Sequence, residues 1–223
     1  MFDTNVSTDA FSRVYMGLRG ELARAERAPG GQIRVDETAA RFGISPTPVR
    51  EALARLSGER LVRGCRRQGY FVPQPSASDL IQLFTLSEMH LLTAIRLQSR
   101  QSRQSPQSPQ ASGEPDGQLG TIPEDAALGR IFLTILARAK APLLFDAGAL
   151  ILERLASARS TEDPAATQRL CADILPLLEN RRFAPLAGVL RSYHRARRAN
   201  AVELAQAIAG LARPRGEYFR DMV

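Results

Sequence analysis

The sequence predicts a mainly α-helical protein, with an N-terminal winged helix-turn-helix followed by an all-α helical bundle. Three observations carry this expectation. Two short amphipathic helical patterns meet at a tight turn containing Gly43. Just after them, two β-forming runs flank the basic stretch Gly64-Cys65-Arg66-Arg67-Gln68. From residue 76 onward, apolar side chains recur at helical spacing, interrupted by one polar segment.

In chain order, residues 10–27 place Phe11, Val14, Tyr15, Leu18, Leu22 and Ala25 on one helical face, and Pro29-Gly30-Gly31 ends the run. Asp36 has the right chemistry to cap a short helix that runs through Phe42 and stops at Gly43. Thr47 is expected to cap a second helix starting at Pro48, a favoured first position. That helix, PVREALARLSGER, would bury Val49, Leu53 and Leu56 and expose Arg50 and Arg55. The runs Arg60–Arg63 and Gly69–Val72 then read as a hairpin with a basic tip, the wing.

The second zone predicts helices over 78–99, 122–139, 142–159, 164–180, 183–198 and 200–212. Pro176 and Pro185 lie inside or at the edge of these patterns and predict a kink or a displaced boundary. Residues 100–120 are rich in Ser, Gln, Pro and Gly and predict a flexible loop. The expected division is a DNA-binding domain over 1–75 and a helical domain over 76–223 carrying that loop.

Composition narrows the function. With 30 Lys+Arg against 23 Asp+Glu, the 223-residue chain has a net charge of +7 and a pI near 10.3, which points to a polyanionic partner. Lys140 is the sole lysine, and the planar arginine fork suits phosphate and guanine edges. Drift in a GC-rich genome gives the same bias. Cys65 and Cys171 do not make a disulfide framework or a CxxC pair. No apolar run follows a basic start, and no stretch reaches the ~18 apolar residues of a membrane span. The expectation is a cytoplasmic protein. No nucleophile–base spacing, phosphate-cradling loop or metal motif marks an enzyme, and no cofactor is expected.

A helix of about 11 residues is ~16 Å long and fits the ~12 Å major groove. Arg50, on its first turn, would bond a guanine edge or clamp a phosphate. Thr47 would touch backbone or a thymine methyl. At the wing, Arg66 and Arg67 would enter the minor groove, and Gly69 would allow close backbone approach. The bland alternative is that these arginines form a solvated face. Residues 181–198 contain six arginines and no acid; such a run is usually a solvated helix face, and the alternative is a surface that lies against DNA or an acidic partner.

The stretch DETAARFGISPTPVREALARLSGERLVRGCRRQGYFV resembles the winged-helix domain of GntR-family bacterial transcription regulators, over residues 10–75. The resemblance implies DNA contacts from Thr47, Arg50 and Gly69; Glu37 and Pro46 stand where many members carry arginine. A looser similarity, over roughly 76–200, is to the effector-binding FCD domain of the FadR subfamily. Many such domains hold a metal with one aspartate and three histidines. Here Leu128, Phe132 and Cys171 stand at three of those positions, and Tyr193 beside His194 at the fourth, so no metal is expected. Ser87 and Leu91 replace an arginine and a glutamate of the same family pattern. His90 and His194 each read as a partly buried or surface side chain rather than as a ligand, and Cys171 as an inert buried thiol.

The function expected from this reading is sequence-specific regulation of transcription, as a repressor and homodimer on double-stranded operator DNA. A small-molecule effector in the helical domain would tune affinity, though no residue is assigned to it. The alternative is a non-sensing DNA-binding protein whose helical domain serves only dimerisation or partner binding.

Overall fold

The computed structural model describes residues 4–104 and 127–211, with side chains from residue 10. Helix α1 spans Thr4–Ala23 and so begins earlier than the apolar spacing alone indicated. It buries Val14, Tyr15 and Leu18. The strand β1 (Gln32–Ile33) was not foreseen, since two residues carry no periodic signal. Helix α2 spans Val35–Phe42 and α3 Pro46–Gly58. The strands β2 (Arg63–Cys65) and β3 (Gly69–Phe71) pair antiparallel, Cys65 opposite Gly69, and β1 joins the other edge of β3 to give the order β1-β3-β2.

Two expected caps are corrected. Arg34, not Asp36, stands at the N-cap of α2, and Ser45, not Thr47, at that of α3; neither side chain makes a capping hydrogen bond. Asp36 and Thr47 are each the second residue of their helix. The turn between the helices forms as expected around Gly43, which adopts φ 65°, a left-handed conformation that glycine takes without a Cβ penalty. Val49, Leu53 and Leu56 of α3 are fully buried against α1, with Ile33, Val62 and Val72 from the strand side.

The helical domain contains α4 (Ala77–Gln104), α5 (Ala127–Arg138), α6 (Pro142–Arg154), α7 (Ala156–Arg159), α8 (Pro164–Glu179), α9 (Phe183–Ala199) and α10 (Ala201–Gly210). The helix expected over 142–159 is broken at Leu155 into α6 and α7. Pro176 lies inside α8 and Pro185 in the first turn of α9. Residues 100–104, expected in the loop, instead form the last turn of α4; residues 105–120 lie outside the described residues. Two side chains fasten that end of the helix. Gln98 Nε2 donates to the Ile135 carbonyl at 2.9 Å, and Gln101 Nε2 to the Ala139 carbonyl at 3.0 Å.

The winged helix and the bundle each have their own apolar cluster, and they touch through α1, α6 and α7. Leu150 of α6 packs on the winged-helix core. Arg19 Nε of α1 donates to both carboxylate oxygens of Glu153, at 3.1 and 2.9 Å, and Arg19 Nη1 donates to the Tyr15 hydroxyl at 2.6 Å. The Tyr15 hydroxyl in turn reaches Glu59 just past the end of α3, at 2.8 Å.

Because Leu53 is 0% exposed and anchors α3, Leu53→Ala should cost about 2–5 kcal/mol by loss of buried area and cavity formation. Denaturant unfolding checks this, and a cost near that of an exposed substitution would show that α3 is not held as described.

Candidate nucleic-acid interface

One face of α3 is apolar and buried, and the opposite face carries Thr47, Arg50, Glu51 and Ala54, all exposed. These positions follow i, i+3, i+4, i+7, so they form a single outward stripe. The first turn of α3 holds no acid, and nothing there competes for an anion at the positive end of the helix dipole. Pro46 and Pro48 lack N–H groups, so Thr47 and Val49 supply the free donors of that turn. At 13 residues, α3 is about 20 Å long.

The wing tip is Arg66-Arg67-Gln68. The Gln68 N–H donates to the Cys65 carbonyl at 3.1 Å and closes the turn. Arg67 takes φ 66° and Gly69 φ 93°. A Cβ on Gly69 would meet only Gln32 Nε2, at 3.6 Å, so the glycine is needed for its left-handed backbone rather than for space. Gln32, on β1, donates from Nε2 to the Gln68 carbonyl at 2.9 Å and props the tip from the neighbouring strand. Sequence reasoning missed Gln32, because only the pairing of β1 with β3 brings it there. The hairpin is tied to α3 where the Gly64 N–H donates to Ser57 Oγ at 3.2 Å.

The charges divide sharply. On the winged helix Arg19, Arg24, Arg27, Arg34, Arg41 and Arg55 are each paired with a carboxylate. Arg63 lies with its guanidinium 5.7 Å from the Phe71 ring centroid. Arg50, Arg66 and Arg67, the three arginines singled out in the sequence, are exposed and make no ion pair or hydrogen bond with any described residue. Their charge is therefore open to a phosphate or a base edge. Glu37 pairs with Arg34 at 3.0 Å, and Pro46 opens α3.

Inside the bundle, the positions compared with the family metal site are closed. Leu128, Phe132 and Cys171 are buried, and burial pushes the Cys171 thiol up, which suits an inert side chain. Phe84, Phe132, Tyr193 and His194 form an aromatic cluster with ring centroids 4.9 to 6.4 Å apart. His194 is fully buried, deeper than its sequence context indicated. Its Nδ1 lies 2.7 Å from the Leu190 carbonyl, which can only accept, so Nδ1 carries the proton. Nε2 then accepts from Ser87 Oγ at 3.1 Å. With both ring nitrogens engaged and apolar groups opposite, this donor set does not fit a divalent ion. Tyr193 donates its hydroxyl to Glu162 at 2.8 Å, and burial raises the Glu162 carboxyl above its usual range. His90, half-buried, sits 2.6 Å from the Leu86 carbonyl. In the basic segment Arg197 pairs with Glu162 and Arg198 with Glu88, while Arg181, Arg182, Arg191 and Arg195 stay exposed.

Residues 11–72 match the model of the family described as bacterial regulatory proteins, gntR family. The HTH-type transcriptional repressor GlaR of Escherichia coli (strain K12) is 31% identical over 70 residues, which make up 31% of this chain and 32% of that protein. The match thus spans about a third of that relative. The structure of Escherichia coli McbR/YncC superposes with a TM-score of 0.60 at 19% identity, covering 87% of this chain and 97% of that one. The GntR structure from Rhodococcus sp. RHA1 gives a TM-score of 0.64 at 16% identity, over 86% of this chain and 97% of its own. At such identities the two structures show a shared fold, here across winged helix and bundle together. Over residues 11–72 the chain is similar to the winged helix of the gntR family.

Two outcomes follow for the bundle. Purified protein should carry no stoichiometric zinc, nickel or manganese; elemental analysis showing one metal per chain, lost with thermal stability on chelation, would contradict the closed site. The second concerns pH. Burial first of all pushes the His194 pKa down from 6.5 to about 4, so the folded state excludes a proton that the unfolded chain binds. Stability should be fully present above pH 6.5 and fall as pH drops toward 4, by at most about 1.4 kcal/mol per pH unit. Glu162, raised by burial, acts in the opposite sense, so the comparison is with His194→Asn, whose melting temperature should fall less between neutral and acid pH. An identical acid response in that variant would remove His194 from the account.

Proposed function

We propose that this chain is a sequence-specific DNA-binding transcriptional regulator, acting as a repressor, that reads operator DNA with α3 and the wing. The observation that supports it best is the charge division. Arg50 at the start of α3 and Arg66 and Arg67 at the wing tip have no carboxylate partner among the described residues, while six other arginines of the winged helix are neutralised. A recognition helix of this length enters the major groove N-terminus first, and a basic hairpin beside it reaches the adjacent minor groove or backbone. The match of the winged helix to relatives named as HTH-type regulators supports the same reading. In this reading Thr47, Arg50, Arg66, Arg67 and Gly69 form the DNA contact, within a reading module over 1–75 and a helical module over 76–223.

The helical module pairs two copies of the chain. One winged helix reads only a half-site, and a two-fold dimer aligns two of them. Ile81, Leu86 and Met89 of α4 are exposed apolar side chains, with Met89 59% exposed, and would gain by burial against a second copy. The aromatic cluster gives weight to the alternative in which the bundle interior senses nothing, since Phe84, Phe132, Tyr193 and His194 fill the place where relatives of the FCD type hold metal and effector.

The test is Arg50→Ala. Alanine preserves the helix and no buried partner is stranded, so the fold should be unchanged. If the guanidinium reads guanine, binding should weaken by about 1–3 kcal/mol with relaxed specificity at one position. If it holds a phosphate, affinity should fall evenly across sequences and the salt slope should drop by about one. Unchanged affinity and slope in the folded variant would sink the placement of α3 on DNA.

A further inference from the structure

Between the winged helix and the bundle lies a cleft of about 480 Å³. Pockets of a few hundred cubic ångströms are the size that small metabolites occupy. Apolar groups supplied by both domains line part of it, Leu22, Leu61 and Val72 from the winged helix and Leu83 from the bundle. Four arginines also line it: Arg27 is held by Glu21 and Arg63 lies over the Phe71 ring, which leaves Arg60, from the segment between α3 and β2, and Arg154, from the last turn of α6. Neither guanidinium makes an ion pair or hydrogen bond with a described residue. They also oppose each other: Arg154 is half-buried, and its pKa is lowered first by that burial and then by the charge of Arg60, with only Asp79 acting the other way. Asp79 and Glu153 line the same cleft, but Asp79 accepts from Ser76 and Glu153 from Arg19, and neither forms an ion pair with Arg60 or Arg154; two like charges so placed are stabilised by an anion between them.

We propose that this cleft binds a small oxyanion metabolite, a carboxylate or phosphate head on a short hydrocarbon body. The head bridges Arg60 and Arg154, and the body lies on Leu22, Leu61, Val72 and Leu83. The site places the ligand between the two domains rather than in the aromatic-filled bundle. Arg154 follows Glu153, which already holds Arg19 of α1, so an anion on Arg154 and Arg60 adds a second bridge between the same two bodies. That such binding alters operator affinity rests on the regulator reading above; the binding itself does not.

The experiment titrates the full chain, without DNA, with hexanoate, hexyl phosphate and the uncharged hexanamide, and follows melting temperature and calorimetric heat. Hexanoate or hexyl phosphate should raise the melting temperature, because a ligand that binds only the folded state must do so. Which of the two binds more tightly identifies the head group. Hexanamide should bind at least ~10-fold more weakly, and Arg60→Gln and Arg154→Gln should each weaken the better anion by ~10-fold or more, as expected for one charge-assisted hydrogen bond. The melting temperature of each unliganded variant reports its folding. A third variant, Arg130→Gln on the exposed face of α5, should bind as the parent does. No response to either anion, or an undiminished response in the folded double variant of Arg60 and Arg154, overturns the site. If the two arginines instead meet DNA, the double variant loses DNA affinity while neither anion binds the parent, and the proposal falls with the regulator reading intact. Operator binding measured separately with and without the better anion tests that reading on its own.

Discussion

The arrangement of the two domains depends on the contact between Arg19 and Glu153. The Glu153 side chain is only 6% exposed, and Arg19 Nε faces both of its oxygens. A carboxylate so enclosed is costly unless a cation and hydrogen bonds accompany it, and the geometry leaves little freedom in where that cation comes from. The pair therefore specifies an orientation more than it adds net stability. The same guanidinium reaches Tyr15, and Tyr15 reaches Glu59 just past the end of α3, while Arg55 approaches Glu59 at 3.2 Å. A continuous polar path thus runs from the bundle helix α6 through α1 to the far end of α3.

Seen from this contact, the charge pattern has a simple logic. Within the winged helix, Arg19, Arg24, Arg27, Arg34, Arg41 and Arg55 are matched with Glu21, Glu26, Glu37, Glu59 or Glu153, whereas Arg50 on α3, Arg66 and Arg67 on the wing tip, and Arg60 and Arg63 at the interdomain cleft have no carboxylate partner among the described residues. An excess of positive charge is a poor guide to function by itself, since exposed ion pairs contribute little and scatter over any surface. What sets Arg50, Arg66 and Arg67 apart from the paired arginines of the winged helix is that the structure supplies them no carboxylate among the described residues.

The winged helix was legible because its signals are local. The spacing of Val49, Leu53 and Leu56 and the left-handed glycine at 43 can be read within a dozen residues, and Arg50, Arg66 and Arg67 came with them. Caps were less legible: Asp36 and Thr47 have capping chemistry, yet the chain enters helical geometry one residue or more earlier, and Arg34 and Ser45 hold the boundary positions without side-chain bonds. The end of α4 was misread for a different reason. Ser, Gln and Arg look like loop by composition, but Gln and Arg are good helix formers, and Gln98 and Gln101 bond carbonyls in α5 and just past its end, 37 and 38 residues away. Long-range partners of that sort also explain why the burial of His194 against Ser87, the prop from Gln32 and the cleft between Arg60 and Arg154 carried no signal in the chain itself.

The length of α4 has a mechanical meaning of its own. Its 28 residues make a rod of roughly 42 Å, so a tilt of about 5° at one end moves the other by roughly 4 Å. The rod starts beside the cleft, where Asp79 and Leu83 line the wall, and its apolar outer side chains lie further along the same axis. In a two-fold assembly joined along that helix, two recognition helices must stand about 34 Å apart to meet successive turns of a duplex. An angular change too small to disturb a single hydrogen bond near Asp79 would thus be magnified into a spacing error of about one base-pair rise. The lever arm, rather than any residue along it, would set how sensitively the pair responds.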